Sequence, residues 1–364
     1  MSTKGNEDAG AAGGDRETEG WLAPNRVLRQ ATLGLAYFSG AARIMAFRRG
    51  GIGAILRFER IRPARRDAFQ PLRAGEITPE RLDRLCSALR RWKFDVIPFD
   101  EAVRRTIDPG GSRRRFVALT FDGAYRDVAT HASPVLARHQ IPFMVFVPTG
   151  FVDGISPIWW LALEQVVLRH DRVSLVVARA ERHFDIGSTR QKYELYAFLD
   201  GWMRTLTPPE QLHVIQDLCR RYSVDLTALS RGAAMQWPDI RALSRDPLVE
   251  IGSATVNYPV LTTLSSSATL REMTMGRQVA EAALDRSVTH FAFPFGDHRS
   301  VGRREIGLAL DAGFASAVTT QARVVRARDA GTLHALPRIS WDGRWRSLRP
   351  LRVLTSGILA DIAR

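Results

Sequence analysis

Asp122 is the acidic residue whose position in the sequence points most directly to chemistry. It closes the apolar run 116–121, which is typical of a buried β-strand, and Gly123 follows it. A carboxylate at a strand end can act as a general base or accept a hydrogen bond from a ligand. It can equally cap the turn that follows the strand, so both interpretations remain open from these residues alone.

Strand and helix patterns alternate along most of the chain. This alternation predicts parallel strands joined by helical crossovers, and seven or eight such units predict a (β/α) barrel. Barrel enzymes carry their sites at the carboxyl ends of the strands, where we expect Glu59, Asp122, Ala254 and Phe295. The predicted strands are 52–58, 96–99, 116–121, 143–147, 249–256, 290–295, 315–320 and 333–341.

The composition predicts several regions along the chain. Residues 1–20 have too little apolar content to offset the entropy of ordering and are expected to be disordered. Residues 21–50 form an amphipathic helical segment that carries arginines. The barrel is expected over 51–342, with an insertion at about 155–245 that holds a hairpin and helices. A basic helix is expected over 343–364.

The chain is strongly basic, with a formal net charge of +14. All but three of its 52 basic residues are arginines. Such a balance favours an acidic polysaccharide or an anionic membrane surface as a partner, although an arginine-rich proteome would produce the same charge without a function. Nucleic acid is not expected, because no recognised binding motif accompanies the charge.

Two further observations concern the compartment. The first 20 residues contain no apolar leader segment, so a cytoplasmic protein is expected, with peripheral contact to a membrane as an option. Cys86 and Cys219 lie in predicted helices without metal-ligand spacing. A disulfide framework or a cysteine zinc site is therefore not expected, and both thiols are predicted to be buried.

Four segments resemble the polysaccharide deacetylases of carbohydrate esterase family 4, which have the NodB-like fold. The first reads Leu-Thr-Phe-Asp-Gly-Ala-Tyr-Arg-Asp, where the family has Thr-Phe-Asp-Asp-Gly-Tyr. The likeness runs from about residue 51 to residue 341. It implies a distorted (β/α) barrel with a helical insertion and flanking amphipathic helices. The segments are 119–127, 250–261, 290–296 and 335–340, and 142–150 also fits.

The resemblance implies a metal-assisted hydrolysis of an acetamide on a sugar. In the family, a divalent ion, often zinc, is held by one aspartate and two histidines, and it polarises the acetyl carbonyl and activates water. A second aspartate acts as the base, and Asp122 stands at that position. A backbone N–H binds the oxyanion, and Phe295 in the turn Pro-Phe-Gly stands at that position.

The resemblance also shows that the family's three metal ligands are replaced. Gly123 stands at the aspartate position, and Ala254 and Tyr258 stand at the two histidine positions. Glycine and alanine offer no donor atom, and a phenol with a pKa near 10 is a poor zinc ligand at neutral pH. No cofactor is therefore expected.

Four other residues are candidates for the cleft. Arg338 is expected to pair with Asp122 or to bind an anion. Glu59 is expected to form an ion pair with an arginine, or to converge with Asp122 and His298 on a metal such as magnesium, calcium or manganese. Trp159 is expected either to line the cleft as a sugar-stacking face or to lie in the core.

These observations leave three functions open. The leading one is a deacetylase-like protein of carbohydrate metabolism that is inactive or strongly impaired. It would act by binding an N-acetylated or acidic glycan, or an unidentified protein partner. The second is an active hydrolase that removes N-acetyl groups from a poly- or oligosaccharide, with a relocated metal or with Asp122 alone. The third is a scaffold at a membrane surface, using the flanking helices.

Overall fold

The computed structural model describes residues 51–110, 114–177 and 180–357. Among these residues the chain forms one large parallel sheet and two small two-stranded sheets. The strands are β1 (Gly53–Phe58), β2 (Arg60–Ile61), β3 (Glu76–Ile77), β4 (Asp95–Val96), β5 (Phe116–Asp122), β6 (Phe143–Val147), β7 (Arg172–Val177), β8 (Ala180–Asp185), β9 (Val249–Ser253), β10 (His290–Ala292), β11 (Ser316–Val318) and β12 (Ile339–Ser340).

The large sheet curls toward closure. Its order is β11-β10-β9-β6-β5-β1-β12, with β4 beside β5, and each strand pair in it is parallel. Leu336, just before β12, forms a parallel bridge with Val318 at the end of β11. The Leu336 N–H donates to the carbonyl of Ala317 at 2.9 Å, and its own carbonyl accepts from Thr319 at 2.9 Å. The two outer edges of the sheet therefore meet, which confirms the distorted barrel.

Helices cover the outside of the sheet. Every residue of β5 and of β6 is buried, as expected for parallel strands that are covered on both faces. The helices are α1 (Pro79–Arg91), α2 (Phe99–Ile107), α3 (Ser133–Arg138), α4 (Thr149–Asp153), α5 (Trp159–Arg169), α6 (Thr189–Met203), α7 (Pro208–Arg221), α8 (Leu226–Ala233), α9 (Trp237–Ser244), α10 (Ser266–Leu284), α11 (Arg303–Asp311) and α12 (Arg349–Leu354).

Local sequence signals explain several helix starts. Thr78 caps α1 by accepting a hydrogen bond from the N–H of Arg81, and proline occupies the first turn. Thr207 and Glu210 form a capping box at the start of α7, as the sequence predicts. Short 3₁₀ segments at Pro71–Gly75, Leu261–Thr263 and Ala327–Ala335 and a π-helical turn at Val128–Ala132 complete the connections.

The segment between β6 and β9 is inserted into the barrel. These two strands are direct neighbours, with Phe143 opposite Val249, so the chain between them leaves the sheet and returns to it. It contains the antiparallel hairpin β7–β8 and the helices α4 to α9. Its side chains form a separate apolar cluster that includes Trp159, Leu199 and Cys219.

Two predicted strands are partly wrong. The pattern at 333–341 forms only β12, because the 3₁₀ segment Ala327–Ala335 takes up its first residues. The pattern at 96–99 stops early, because Phe99 already begins α2. The carboxylate of Glu250 accepts hydrogen bonds from the N–H groups of Phe99 and Asp100 there, and so stabilises the amino end of this helix.

The predicted terminal regions are only partly described. Residues 1–50, with the predicted disordered tail and amphipathic segment, lie outside the described residues. Of the predicted basic helix at 343–364, the structure describes α12, and residues 358–364 lie outside it. Within the described ranges, none of the helices has the length and apolar character needed to cross a membrane. Cys86 and Cys219 are buried free thiols, as predicted.

Candidate functional site

A fully buried ion pair lies in the interior of the barrel. Asp122 ends β5, and Arg338 immediately precedes β12. Nη1 of Arg338 donates to Oδ1 of Asp122 at 2.7 Å, and Nη2 donates to Oδ2 at 2.8 Å. Nε of Arg338 donates to the carbonyl of Thr319 at 3.0 Å. The arginine is 0% exposed and the aspartate 2%, so this two-point contact is shielded from water.

Arg57 supplies a second cation to the same carboxylate. It lies on β1, which pairs with β5, and its Nε donates to Oδ2 of Asp122 at 2.6 Å. Its Nη2 lies 2.7 Å from Oε1 of Glu59, so the guanidinium joins the two carboxylates. Asp122 therefore accepts three charged hydrogen bonds, two from Arg338 and one from Arg57. The signal for Arg57 in the sequence is an arginine inside the apolar strand Gly-Ala-Ile-Leu-Arg-Phe, and the sequence analysis missed it.

The two arginines keep Asp122 ionised. Burial alone would raise the pKa of its carboxyl, but the charges and hydrogen bonds of Arg338 and Arg57 outweigh burial and hold that pKa below its ordinary value. Burial would lower the pKa of the Arg57 guanidinium, but Glu59 and Asp122 keep it well above its ordinary value. At neutral pH the site is therefore a fixed set of charges.

This arrangement predicts how the stability of the fold depends on acid. Because the pKa of Asp122 is lower in the folded state, its contribution is complete above its unfolded pKa of about 4 and is lost as the pH falls toward the folded value. Between those values the free energy of unfolding of the wild type should fall by about 1.4 kcal/mol per pH unit relative to that of Asp122→Asn. Urea denaturation of both proteins from neutral pH to below pH 4 measures this gap, which is the difference between their free energies of unfolding. A gap that stays constant across this range would contradict the assigned charge state.

Gly123 cannot be exchanged for a ligand without strain. Its φ is +99°, a conformation that L-residues rarely adopt. A Cβ at this position would lie 2.7 Å from Cε2 of Tyr125. That ring is held in place, because the Tyr125 hydroxyl accepts a hydrogen bond from Nε1 of Trp160 at 2.8 Å. Both the backbone conformation at position 123 and the position of the Tyr125 ring therefore require glycine.

The two positions that the resemblance aligns with histidines are both buried. Ala254 is fully buried, and its N–H donates to the carbonyl of Val147 at 3.0 Å. Tyr258 is buried with φ +55°, and its ring lies 5.3 Å from that of Phe295 and 5.7 Å from that of Phe151. Burial and the charge of Asp122 raise the pKa of the Tyr258 phenol to about 12, so the phenol keeps its proton at neutral pH.

These residues do not fit the divalent ion that the resemblance implies. Gly123 and Ala254 present no donor atom, and Tyr258 presents a neutral phenol. The charges of Arg57 and Arg338 act at the carboxylate beside them, where a third cation would be repelled. Across residues 51–110, 114–177 and 180–357, no group of three or more His, Cys, Asp or Glu side chains is placed to hold a metal.

The structure does not assemble the alternative carboxylate site either. Glu59 and Asp122 do approach one region, but Arg57 lies between them and binds both. His298 lies exposed in the loop after Phe295 and is not part of a metal-binding group among the described residues. The structure therefore does not bring Glu59, Asp122 and His298 together as a ligand set, and Glu59 instead forms the ion pair with an arginine that was the other expectation.

An aromatic cluster lies above the ion pair. Trp160 contacts Tyr258 at a ring distance of 5.9 Å and Phe295 at 6.1 Å. The neighbouring Trp159, predicted as a cleft residue, is 3% exposed and packs in the apolar cluster of the insertion. It lines a separate cavity of about 500 Å³ between α5, α7 and α10. Residues 159 and 160 point to different sides of α5, so Trp160 rather than its neighbour reaches the site.

Phe295 keeps the backbone geometry of a tight turn. Its φ is +59°, and its carbonyl accepts a hydrogen bond from the Thr320 hydroxyl at 3.0 Å. Its N–H has no acceptor among the described residues. The guanidinium of Arg204 lies 4.3 Å from the centre of its ring, which fixes the ring from the side of the insertion. This N–H is therefore not committed to another group in the described part of the chain.

A small cavity opens at the carboxyl ends of β1 and β12. Its volume is about 260 Å³, and Arg57 and Glu59 line it together with polar and aromatic residues. Asp122 lies below it and is not part of its wall. The residues that complete the wall include Thr320, Trp341, Asp342, Arg344 and Trp345.

A comparison with protein-family models matches one part of the chain. The polysaccharide deacetylase model matches residues 187–313. This segment holds β9, β10 and the positions of Ala254, Tyr258 and Phe295. No curated protein sequence matches this chain.

Solved structures share the fold over most of the chain. The deacetylase PplD of Streptococcus pyogenes, solved in complex with acetate, is similar with a TM-score of 0.54 and 15% identity, over 84% of this chain and 97% of that one. IcaB from Ammonifex degensii is similar with a TM-score of 0.55 and 17% identity, over 85% and 99%. A de-N-acetylase from Aggregatibacter actinomycetemcomitans is similar with a TM-score of 0.54 and 12% identity, over 82% and 98%. Residues 187–313 are thus similar to polysaccharide deacetylases, and the solved structures show that the chain shares the NodB-like deacetylase fold.

Proposed function

We propose that this protein has a deacetylase fold that binds a glycan, and that it does not catalyse metal-dependent deacetylation. The observation that carries the proposal is the position of Asp122 between the guanidiniums of Arg338 and Arg57. In this arrangement the charge that a metal would supply comes from two fixed side chains. Arginine cannot exchange ligands or activate water as a metal does, so the charge stabilises the fold and shapes a binding surface.

The same contacts argue against a hydrolase that works without a metal. A general base must accept a proton from water, and it works best when its pKa lies near the working pH. The pKa of Asp122 is below its ordinary value, and both its oxygens accept hydrogen bonds from arginine. Protonation would break these contacts inside a buried site, which makes Asp122 a poor base.

The cavity beside Arg57 and Glu59 supports a sugar as the ligand. Carboxylates and guanidiniums are suited to hydroxyl and amide groups, and Trp345 offers an aromatic face for a sugar ring. The N–H of Phe295 would add a donor for an acetyl carbonyl if the glycan extends over the turn. An N-acetylated glycan satisfies these groups. An acidic glycan gains less from Arg344, because this guanidinium already binds both carboxylate oxygens of Asp342 in the same wall.

The scaffold alternative has less support. Its main element is the predicted amphipathic segment 21–50, which lies outside the described residues. The described part of the other flanking helix, α12, buries Leu351, Val353 and Leu354 against the barrel. That apolar face is therefore used within the protein.

Two measurements test the proposal on the full chain. After incubation with zinc and gel filtration, we expect no bound zinc by mass spectrometry and no acetate release from N-acetylated chitooligosaccharides. Calorimetry with the same oligosaccharides should show binding that Glu59→Gln weakens about tenfold, the loss expected for one charged hydrogen bond. Glu194→Gln is the matched control, because Glu194 is exposed on α6 and does not line the cavity.

The outcomes separate the two functions. Acetate release that a chelator abolishes would show a metal site and overturn the proposal. Acetate release that resists the chelator but is lost in Asp122→Asn would establish the metal-free hydrolase. Absence of oligosaccharide binding in the wild type would overturn the glycan ligand, while leaving the lack of metal chemistry intact.

A further inference from the structure

A second cavity, on the outside of the barrel, has a wall rich in arginine and tryptophan. It lies between α1 and the segment 341–349 and has a volume of about 540 Å³. We call it the arginine–tryptophan pocket. Among the residues that line it are Arg81, Arg84, Arg91, Arg346, Trp92 and Trp345.

The positive charge of this pocket is not neutralised by its own wall. No carboxylate lines it among the described residues. Arg84, Arg91 and Arg346 are exposed and form no ion pair with any described residue. Burial, followed by the charges of Arg73 and Arg84, lowers the pKa of Arg81, which shows that like charges crowd this surface.

The acidic groups near the pocket have other partners. Asp83, on α1, pairs with Arg138 at 3.1 Å and with His139 at 3.0 Å. Asp342 pairs with Arg344 at 2.7 Å. The carboxylate of Glu80 accepts a hydrogen bond from Thr78 at the start of the helix, and its charge also attracts Arg84. None of these three acidic residues lines the pocket.

Trp341 lies between this pocket and the cavity beside Arg57 and lines both. It is 5% exposed, it lines the pocket, and its Nε1 is buried without a hydrogen-bond partner. An indole N–H that is removed from water is costly unless it finds an acceptor. Trp92 and Trp345 add apolar area beside the arginines, although Arg352 already stacks on the Trp92 ring at 4.9 Å and Trp345 is 7% exposed. The wall therefore matches an anion that carries a small carbon skeleton.

We infer that the arginine–tryptophan pocket binds a phosphate ester, with the phosphate on the arginines and its carbon skeleton against the tryptophans. Phosphate oxygens match the planar donor fork of arginine, and a phosphate monoester also carries more charge than a carboxylate. The ester can be the monoester of a phosphorylated sugar or the diester of a phospholipid headgroup, because both present anionic phosphate oxygens. This pocket and the cavity beside Arg57 have only Trp341 and Trp345 in common, so the inference does not depend on the proposed function.

Calorimetry and vesicle sedimentation on the full chain test the inference. The probes are glucose 6-phosphate, glucose, vesicles of phosphatidylglycerol and vesicles of phosphatidylcholine. Arg84→Ala/Arg91→Ala should weaken binding of the phosphate probe by about tenfold or more, since two charged contacts are removed. Arg245→Ala/Arg328→Ala is the matched control, because it removes two exposed arginines that lie outside the pocket.

The pattern across the probes identifies the source of the ester. Binding of glucose 6-phosphate but not of glucose, lost in Arg84→Ala/Arg91→Ala and retained in the control, supports a phosphorylated sugar. Binding of phosphatidylglycerol vesicles alone, with the same dependence on the two arginines, supports a lipid headgroup. Equal loss of binding in both double variants would mean a nonspecific effect of net charge and would overturn the inference. Absence of binding to every phosphate probe would also overturn it.

Discussion

Replacement of Arg338 by methionine is expected to lower the free energy of unfolding by about 3–5 kcal/mol. The substitution removes both hydrogen bonds from Arg338 to Asp122 and leaves the carbonyl of Thr319 without its donor. Asp122 would stay buried with Arg57 as its one remaining cation. Urea denaturation followed by tryptophan fluorescence measures the loss.

Two further variants separate the ion pair from a general effect of removing arginine. Arg245→Met is the matched control, because Arg245 is exposed at the end of α9, and its cost should stay within about 0.5 kcal/mol. The double variant Asp122→Asn/Arg338→Met should be more stable than Arg338→Met alone, since the uncompensated buried charge is gone. A loss below about 1 kcal/mol for Arg338→Met would show that Arg57 alone can hold the carboxylate.

Replacement of Gly123 by aspartate is expected to destabilise the protein by about 2–5 kcal/mol, through backbone strain and overpacking together. The backbone conformation disfavours an L-residue, and the new Cβ would press on the fixed ring of Tyr125. The family's aspartate therefore cannot be restored by one substitution. Chemical denaturation of the variant gives the cost directly.

Gly110→Asp isolates the contribution of the backbone. Gly110 also has a positive φ, of +53°, but no atom lies within 4 Å of its added Cβ. Aspartate tolerates that left-handed conformation, so the control should cost about 1 kcal/mol or less. If both variants lose the same amount, the contact with Tyr125 carries no cost and the steric argument for Gly123 is wrong.

The same reasoning extends to restoring the family's whole ligand set. Gly123→Asp/Ala254→His/Tyr258→His should bind no zinc in calorimetry, because Arg57 and Arg338 still place two cations at Asp122. Adding Arg57→Ala to this triple variant removes one of the two cations at Asp122, so it is the change most able to recover zinc binding. Stoichiometric zinc in the triple variant alone would mean that the two arginines do not exclude the ion.

The amino-acid order alone predicts the strand pattern, the family resemblance and the chemistry missing from positions 123, 254 and 258. These are local properties: a strand is set by its apolar run, and a missing donor atom is missing in any fold. The alternation of strands and helices was sufficient for the barrel, because parallel strands require crossovers. The insertion could be located for the same reason, since its elements interrupt that alternation.

The residues that occupy the site in place of a metal follow from the tertiary structure and could not be predicted from the sequence. Arg57 and Arg338 are 281 residues apart in the chain, and closure of the sheet between β11 and the segment before β12 brings them to one carboxylate. The direction of a long side chain depends on the neighbours that exclude water around it, and sequence spacing does not contain that information. For the same reason the sequence did not show that Trp160, and not Trp159, faces the site. The arginine–tryptophan pocket has no motif in the sequence either, because it combines arginines of α1 with tryptophans of a segment some 250 residues later.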